Sequence, residues 1–353
     1  MSVLDDPILA ERIDPSDFLG VVERFPGQLR ESVALAEKVE GLPALEGISS
    51  IAVLGMGGSG ISGDFLSTIL KPTEKVRVET IKGYDLPGWV DSDTLVFAAS
   101  YSGNTEETLA TVEQAQKRNA PIVCITTGGR LAEIAQENGL PLVIVPKGLQ
   151  PRAALGYMSI PLLVVYRKMS KGNLRDIDEA VELTQQRAGQ LGRAEPISTN
   201  RAKQLAQQLQ GRVPIVYGSE GISALAAYRW KCQLNECSKV PAWSNSFPEL
   251  NHNEIVGWQG MHDLSRDTFA LVVLRHDGEH PRNAKRIEIT IPLIEKSLAM
   301  VEEIRGEGIS ELARLFDLTY FGDFVATYLA ILNEVDPAPV DVIEDLKREL
   351  GKN

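Results

Sequence analysis

The chain has 353 residues, of which 43% are hydrophobic and 24% charged, so its composition is that of a globular protein long enough for two domains. Its 36 basic and 48 acidic residues give a formal net charge of −12, which argues against nucleic acid or an anionic membrane surface as a partner. No uninterrupted apolar stretch of about 18 residues occurs, and the first residues lack the pattern of a signal peptide. We therefore expect a cytoplasmic protein without membrane spans.

The cysteines and histidines give no indication of a metal centre. Cys124, Cys232 and Cys237 are an odd number, without a Cys-x-x-Cys pair or a metal-ligand spacing. They predict reduced thiols, as in a cytosolic protein. His276 and His280 form a weak His-x₃-His pattern beside a glycine, which we interpret as a solvated turn.

Strands and helices alternate through the first half of the chain. Residues 1–47 predict acidic helices, and the alternation starts at residue 48. Predicted strands lie near 51–56, 76–81, 94–99, 121–126 and 141–146, with helices near 59–70, 104–118 and 131–138 and a proline-led helix at 151–169. Strands separated by helices of this length indicate right-handed βαβ units and a parallel sheet.

The second half repeats this pattern after a polar helical connector at 170–197. The predicted elements are a strand at 213–218, a helix at 222–238, a strand at 268–274, a helix at 282–298, a strand at 300–305 and a long helix at 310–335. The second half is thus interpreted as a diverged copy of the first, with domains at 1–197 and 198–353. A short amphipathic helix at 340–351 is predicted to pack back onto the body.

A hydroxyl-rich loop follows the predicted strand at 94–99. Ser100, Ser102 and Thr105 surround a glycine where the strand hands over to a helix, and Asn104 and Glu107 have the spacing of a capping box. Free N–H groups and the positive end of the helix dipole attract an anion at such a position. Hydroxyls suit a phosphate monoester, because each can donate a hydrogen bond without adding bulk.

A glycine loop follows the first strand, at 55–60. Its glycines match the G-x-G-x-x-G pattern, and Glu79 lies about where a dinucleotide-binding protein needs an acidic residue, so that alternative stays open. However, Ser59 and Ser62 make this loop rich in hydroxyls too. Two such loops after neighbouring strands favour one phosphate held from both sides.

These loops resemble those of a known family. GMGGSGISGD together with SYSGNTEET is similar to the sugar isomerase (SIS) fold, which binds phosphosugars. QPRAALGY, LNEC and ELNHNEIVGW further resemble the bifunctional phosphoglucose/phosphomannose isomerases of archaea and some bacteria. The resemblance implies an α/β protein of two SIS-type, flavodoxin-like αβα sandwich domains with parallel sheets. It also implies an aldose–ketose isomerase that acts on glucose 6-phosphate and mannose 6-phosphate through a cis-enediol, without metal or other cofactor.

The resemblance also suggests roles for individual residues. Glu236 would be the base that moves the proton between C1 and C2, His252 would open the sugar ring, and Arg152 would stabilise the enediolate. His252 would come from the other subunit of a homodimer, and Glu254 could orient it or lie on the surface. The groups expected to bind the substrate phosphate are Gly57, Gly58, Ser59, Ser100, Ser102 and Thr105.

Two other functions stay open. A non-catalytic phosphosugar sensor could use the same loops, although the acidic N-terminus does not suit a DNA-binding regulator. Another SIS enzyme, such as an aminosugar-phosphate isomerase, is the second alternative. The long helix at 310–335 departs from the family pattern, since it offers Thr327 and Asn333 where a lysine or arginine and a threonine are expected. That departure leaves the choice of sugar open.

Overall fold

The computed structural model describes residues 3–352, in which helices and strands alternate as the sequence predicts. The strands are β1 (Ser50–Leu54), β2 (Arg77–Ile81), β3 (Thr94–Ser100), β4 (Ile122–Thr126), β5 (Leu142–Ile144), β6 (Val213–Ser219), β7 (Trp243–Phe247), β8 (Phe269–His276) and β9 (Met300–Gly306). The helices are α1 (Pro7–Ile13), α2 (Phe18–Glu23), α3 (Phe25–Glu37), α4 (Gly57–Leu70), α5 (Glu106–Lys117), α6 (Gly129–Glu137), α7 (Leu155–Ser170), α8 (Arg175–Leu191), α9 (Arg201–Leu209), α10 (Ile222–Glu236), α11 (Glu254–Gly257), α12 (His262–Thr268), α13 (Pro281–Ile294), α14 (Glu311–Leu332) and α15 (Asp341–Leu350).

The described residues form two compact units, each built on one sheet. The first-sheet unit consists of residues 24–183 and 310–313, and the second-sheet unit of residues 3–23, 184–309 and 314–352. The boundary between the two units therefore lies within α8, and the first helices belong to the same unit as the second half of the chain. The domain division at residues 197 and 198 stays a prediction about the sequence repeat.

The first sheet has five parallel strands in the order β2-β1-β3-β4-β5. Every residue of β1 and β3 is buried, as expected for strands covered by helices on both faces. Strand order reverses between β1 and β3, and ligands of such sheets bind at this switch point, beyond the carboxyl ends of the strands. Because β1 and β3 are direct neighbours, the two predicted phosphate loops leave the sheet at that point.

The second sheet has four parallel strands in the order β7-β6-β8-β9, which repeats the order of the first four strands of the first sheet. The α/β class and the two parallel sheets predicted from the sequence are thus confirmed. Strand β7 was not predicted, because its sequence WSNSF is mostly polar and its first residue is exposed. It lies at the edge of the sheet, where such a strand needs little apolar character.

A buried polar network joins α10 to α14 in the second-sheet unit. The Arg229 guanidinium makes two hydrogen bonds to the Asp323 carboxylate, at 3.1 and 2.8 Å, and Gln233 donates a third at 2.9 Å. The indole N–H of Trp230 donates to the Leu318 carbonyl at 2.7 Å. These contacts fix the position of α10, whose last residue is Glu236.

Helix α14 is long and apolar enough to cross a membrane, the one such helix within residues 3–352, but 94% of its most apolar window is buried in the protein. It is therefore a core helix. Thr327 is fully buried in it and donates to the Asp323 carbonyl at 2.8 Å. Asn333 follows the end of the helix and is partly buried.

Helix α15 does not pack as the sequence suggested. The predicted amphipathic helix forms at Asp341–Leu350, yet none of its residues is buried. Val342 is 84% exposed and Leu346 is 59% exposed. The prediction that this helix packs back onto the body is therefore wrong, because a strong amphipathic pattern specifies an apolar face and not what covers it.

Candidate functional site

The loop after β1 presents the open N-terminus of α4. This helix begins at Gly57, and no side chain caps it. The first N–H groups of a helix have no partner within the helix, so those of Gly57 and Gly58 suit an anion. The turn is tight because Gly55 and Gly60 approach each other: a Cβ on Gly60 would lie 2.7 Å from the Gly55 carbonyl oxygen.

The loop after β3 is held by its own hydroxyls. The Ser100 Oγ lies 2.9 Å from the Thr105 Oγ1 and accepts the Gly103 N–H at 3.1 Å. Ser100 is fully buried, so this geometry gives it a part in shaping the loop, and its direct contact with phosphate stays a prediction. Ser102 is exposed, and its Oγ accepts the Asn104 N–H at 3.3 Å.

The predicted capping box of α5 is wrong. The N-cap of the helix is Thr105, and it makes no side-chain cap hydrogen bond. The Asn104 Oδ1 instead accepts the Arg130 N–H at 2.9 Å, from the first turn of α6. The Asn104 side chain therefore bonds to a residue of another loop and not to the helix end that its spacing predicted. The N-terminus of α5 is left open beside that of α4.

A direct hydrogen bond joins the two loops. The Tyr101 N–H donates to the Ser59 Oγ at 3.0 Å. Ser59 is 5% exposed, and its hydroxyl can still donate its own proton to a phosphate oxygen because the bond from Tyr101 uses only a lone pair. This bond holds the Ser59 hydroxyl against the backbone of the loop that carries Ser100 and Ser102, and a single anion site between the two loops stays a prediction.

Arg152 lies against the same helix N-terminus. It belongs to a 3₁₀ turn at Pro151–Ala153 and is 4% exposed. A Cβ on Gly58 would lie 2.6 Å from the Pro151 carbonyl oxygen and 3.1 Å from the Arg152 nitrogen, so glycine permits this approach. The Ala153 carbonyl accepts a hydrogen bond from the Gln28 Nε2 at 2.9 Å, which anchors the turn to α3.

The position of Glu79 argues against the dinucleotide-binding alternative. Glu79 lies in the middle of β2 and forms an ion pair with Arg77, whereas a ribose-binding carboxylate follows the end of that strand. The glycines at 55, 58 and 60 are explained by the tight turn and by the approach of residues 151 and 152. The loop therefore lacks Glu79 as the carboxylate that a bound ribose needs.

Glu236 belongs to the second-sheet unit, as the last residue of α10. Its side chain is partly buried. The Asn235 Oδ1 accepts the Ala242 N–H at 2.9 Å, and the Lys239 Nζ donates to the Glu236 carbonyl at 2.7 Å. The backbone around this carboxylate is therefore well fixed, which a positioned base requires.

His252 also belongs to the second-sheet unit and is exposed. It ends the 3₁₀ turn Glu249–His252, which is anchored by fully buried Leu250 and by a 2.8 Å hydrogen bond from the Asn251 Nδ2 to the Thr290 Oγ1. The residues around it are thus held while its imidazole faces outward. An outward histidine on a fixed turn suits contact with a substrate or a second subunit.

Glu254 neither orients His252 nor lies free on the surface. Its two carboxylate oxygens accept hydrogen bonds from the Tyr217 hydroxyl and the Asn245 amide. Burial raises the pKa of Tyr217, and the hydrogen bond to Glu254 raises it further, so that hydroxyl remains a donor. Glu254 is thus a structural residue, and the sequence could not show this because Tyr217 lies 37 positions earlier.

The interpretation of residues 276–280 as a solvated turn is wrong for His276. It is the last residue of β8 and is 6% exposed. Glu279 folds back to accept the His276 N–H at 3.0 Å and pairs with the Arg275 guanidinium at 2.9 Å, whereas Asp277, Gly278 and His280 of the turn are exposed. Within residues 3–352, no group of three or more His, Cys, Asp or Glu side chains is placed to hold a metal ion.

Burial of His276 predicts a pH effect on stability. Burial lowers the pKa of His276, with the Glu279 charge opposing the shift, so the unfolded chain takes up this proton more readily than the folded chain. The contribution to the free energy of unfolding is complete above the ordinary histidine pKa of about 6.5 and is lost as pH falls through the lower, folded value. In urea titrations from pH 7.5 to 5, we expect H276Q to flatten the acid-side loss of stability and H252Q, at an exposed histidine, to leave it unchanged. Equal slopes in all three proteins would contradict this.

Sequence reasoning missed Tyr101 and Gln28 as parts of the site. Tyr101 was visible as one bulky aromatic residue among small ones in Ser100-Tyr101-Ser102-Gly103, which is unusual for an anion loop and could have drawn attention. Gln28 gave no such signal, because its contact with Ala153 joins positions 125 residues apart.

Both halves of the chain match known protein families. Residues 45–145 match the family described as "SIS domain", and residues 198–350 match the "Bacterial phospho-glucose isomerase C-terminal SIS domain". The chain is 41% identical to the bifunctional phosphoglucose/phosphomannose isomerase of Caldicellulosiruptor bescii, over 94% of this chain and 98% of that protein. It is 39% identical to the protein of the same name from Aquifex aeolicus, over 86% of this chain and 91% of the relative.

A solved structure supports the fold. The glucose-6-phosphate isomerase-like protein from Thermus thermophilus superposes with a TM-score of 0.64 at 18% identity, over 99% of each chain. At that level of identity the likeness concerns the fold alone.

Proposed function

Because this chain belongs to the family of bifunctional phosphoglucose/phosphomannose isomerases, we propose that it interconverts glucose 6-phosphate and mannose 6-phosphate with fructose 6-phosphate. The observation that carries the proposal at the level of residues is the bond between the two loops, from the Tyr101 N–H to the Ser59 Oγ at 3.0 Å. It joins two hydroxyl-bearing loops, each of which leads into a helix N-terminus, at the switch point of the first sheet, and this supports one anion site between them.

The phosphate of the substrate is assigned to that position. The N–H groups of Gly57 and Gly58 and the hydroxyl of Ser59 would donate from one side, and Ser102 and Thr105 from the other. Ser100 contributes to the same site by shaping the loop. It would contact the phosphate directly if the Thr105 hydroxyl turned toward the anion. These are neutral donors, so the buried charge of Arg152 supplies the main positive group for an anionic substrate on a protein of net charge −12.

The chemistry needs one base and no redox partner. In the open-chain aldose, the Glu236 carboxylate would take the proton from C2 while the C1 carbonyl oxygen becomes negative, giving a cis-enediolate. Transfer of the O2 proton to O1 and return of the first proton to C1 leave the carbonyl at C2, which is the ketose. Arg152 would stabilise the enediolate, and His252 would move protons between the ring oxygen and the neighbouring hydroxyl as the ring opens. Both epimeric aldoses share this enediolate, so one base serves both.

The assay that tests the proposal uses purified protein in EDTA, given glucose 6-phosphate and mannose 6-phosphate in separate reactions, with fructose 6-phosphate as the product measured. Formation of fructose 6-phosphate from both sugars supports the proposal. Tight binding of the sugar phosphates without turnover identifies a sensor. Turnover of glucosamine 6-phosphate, given in a third reaction, without turnover of the other two identifies an aminosugar-phosphate isomerase. Either result would overturn it.

The homodimer is also part of the proposal, with His252 completing the site of the partner subunit. The exposed imidazole on an anchored turn supports this arrangement. A cytoplasmic location is proposed as well, since the cysteines Cys124, Cys232 and Cys237 are free thiols.

Mixed dimers test the shared site. E236Q and H252A are each expected to be nearly inactive as homodimers. Co-refolding them in equal amounts should restore about one quarter of wild-type activity, because half of the dimers are mixed and each has one site with both residues intact. If the mixture is no more active than its parents, His252 serves its own subunit or none. H262A, at a second exposed histidine of the same unit, is the control and should stay fully active.

A further inference from the structure

Tyr101 makes more contacts around the proposed phosphate site than a loop residue needs. It lies between Ser100 and Ser102 and is only 5% exposed. Its hydroxyl donates to the Pro146 carbonyl at 2.9 Å and accepts the Leu149 N–H at 3.1 Å. Both the donor and the acceptor role of this hydroxyl are therefore used on one segment of backbone.

The backbone of Tyr101 contacts two further loops. Its N–H donates to the Ser59 Oγ at 3.0 Å, in the loop after β1, and its carbonyl accepts the Thr127 N–H at 3.1 Å, in the loop after β4. One residue of the β3 loop thus links the ends of two other strands to the segment that follows β5.

The segment held by the Tyr101 hydroxyl leads directly to Arg152. Residues 146–149 connect the end of β5 to the 3₁₀ turn at Pro151–Ala153, and Lys147 and Gly148 within it are exposed. The far end of the turn is held at Ala153 by Gln28, and Gly58 leaves room for Pro151. The turn is therefore fixed on both sides, and Tyr101 provides the hold on its N-terminal side.

We propose that Tyr101 is a positioning residue that sets where Arg152 lies relative to the phosphate loops. The proposal rests on the proposed function, in which Arg152 stabilises the enediolate. The tyrosine side chain has only two rotatable bonds, and its hydroxyl both donates and accepts a hydrogen bond. These two bonds therefore restrict movement of the 146–149 segment. Burial also raises the pKa of Tyr101, which keeps the proton that bonds to Pro146 in place.

The Y101F variant separates the hydroxyl from the rest of the residue. It keeps the ring and the N–H bond to Ser59 and loses only the two bonds to residues 146–149. Calorimetry with a hydroxamate analogue of the enediolate that carries a phosphate ester is expected to show binding weakened about tenfold. Binding of inorganic phosphate, which needs only the loops, should change less than twofold. Y166F, which removes another buried tyrosine hydroxyl of the same unit, should change neither.

A double-mutant cycle identifies the residue through which Tyr101 acts. In an R152A background, Y101F should weaken binding of the analogue less than twofold, because the group it positions is gone. The proposal is overturned if the tenfold loss persists without Arg152, or if phosphate binding falls equally. Hydrogen exchange tests the same claim without any ligand: in Y101F the amides of 147–152 should exchange faster while those of 57–60 do not. Failure of the proposed function would show instead in the wild-type isomerase assay.

Discussion

Replacing Glu236 by glutamine is expected to lower kcat for isomerisation of fructose 6-phosphate by about 10³- to 10⁴-fold, the upper range for loss of a general base. Glutamine has nearly the same shape as glutamate, so the position of α10 should not change, but it cannot take the C1 proton of the ketose. The network of Arg229, Gln233 and Asp323 that holds this helix is untouched by the substitution. The readouts are coupled-assay kcat and calorimetric affinity for fructose 6-phosphate.

The affinity measurement decides what a loss of activity means. Substrate affinity within a few fold of wild type, with kcat lost, identifies Glu236 as the base and excludes a sensor. E288Q, which removes an exposed charge paired with Lys285 on α13, is the matched control and should retain full activity. Normal turnover by E236Q would show that another group moves the proton, and the assignment of the base would then be wrong.

Local sequence patterns predicted those elements whose formation depends mainly on residues close together in the chain. Apolar runs such as 94–99 became fully buried strands, and the serines and glycines of the loops at 55–60 and 100–105 meet where two neighbouring parallel strands end. The adjacency of β1 and β3 follows from how βαβ units build a sheet. Loops 41 residues apart in the chain, at Ser59 and Ser100, could therefore be expected near each other from the sequence alone, and their joint role in one phosphate site stays a prediction.

Contacts between distant residues account for what the sequence could not reveal. Asn104 had the spacing of a cap, but its amide oxygen accepts the N–H of Arg130, from another loop. Glu254 was considered beside its neighbour His252, yet it bonds to Tyr217 on β6. Each of these polar side chains could bond either to a residue nearby in the sequence or to a distant residue that offers the same kind of hydrogen bond. Only the packing of the sheet decides between the two partners.

The glycines of the first loop give a second test of the site, because they have two different roles. Gly55 and Gly60 permit a tight turn, whereas Gly58 permits the backbone of residues 151 and 152 to lie against the N-terminus of α4. The G-x-G-x-x-G match at 55, 57 and 60 does not include Gly58, since it counts spacing and not what approaches each glycine. The approach at Gly58 joins the phosphate loop to the turn that carries Arg152.

Replacing Gly58 by alanine is therefore expected to lower kcat/KM by about 10²-fold or more, because its Cβ would lie 2.6 Å from the Pro151 carbonyl oxygen and force the turn at Pro151–Ala153 away from α4. Overpacking of this kind also costs about 1–3 kcal/mol of stability, so the melting temperature should fall while the protein still folds. Steady-state kinetics and inhibition by inorganic phosphate measure the effect, which should include weaker phosphate binding as well as a lower kcat.

Gly88 supplies the matched control, since a Cβ there meets nothing within 4 Å and the residue is exposed. G88A should leave kcat/KM and phosphate inhibition unchanged. If G58A were as active as G88A, the Pro151 turn could move away from α4 without loss. Arg152 would then not depend on the phosphate loop for its position, and the joint site inferred from Gly58, Tyr101 and Arg152 would have to be abandoned.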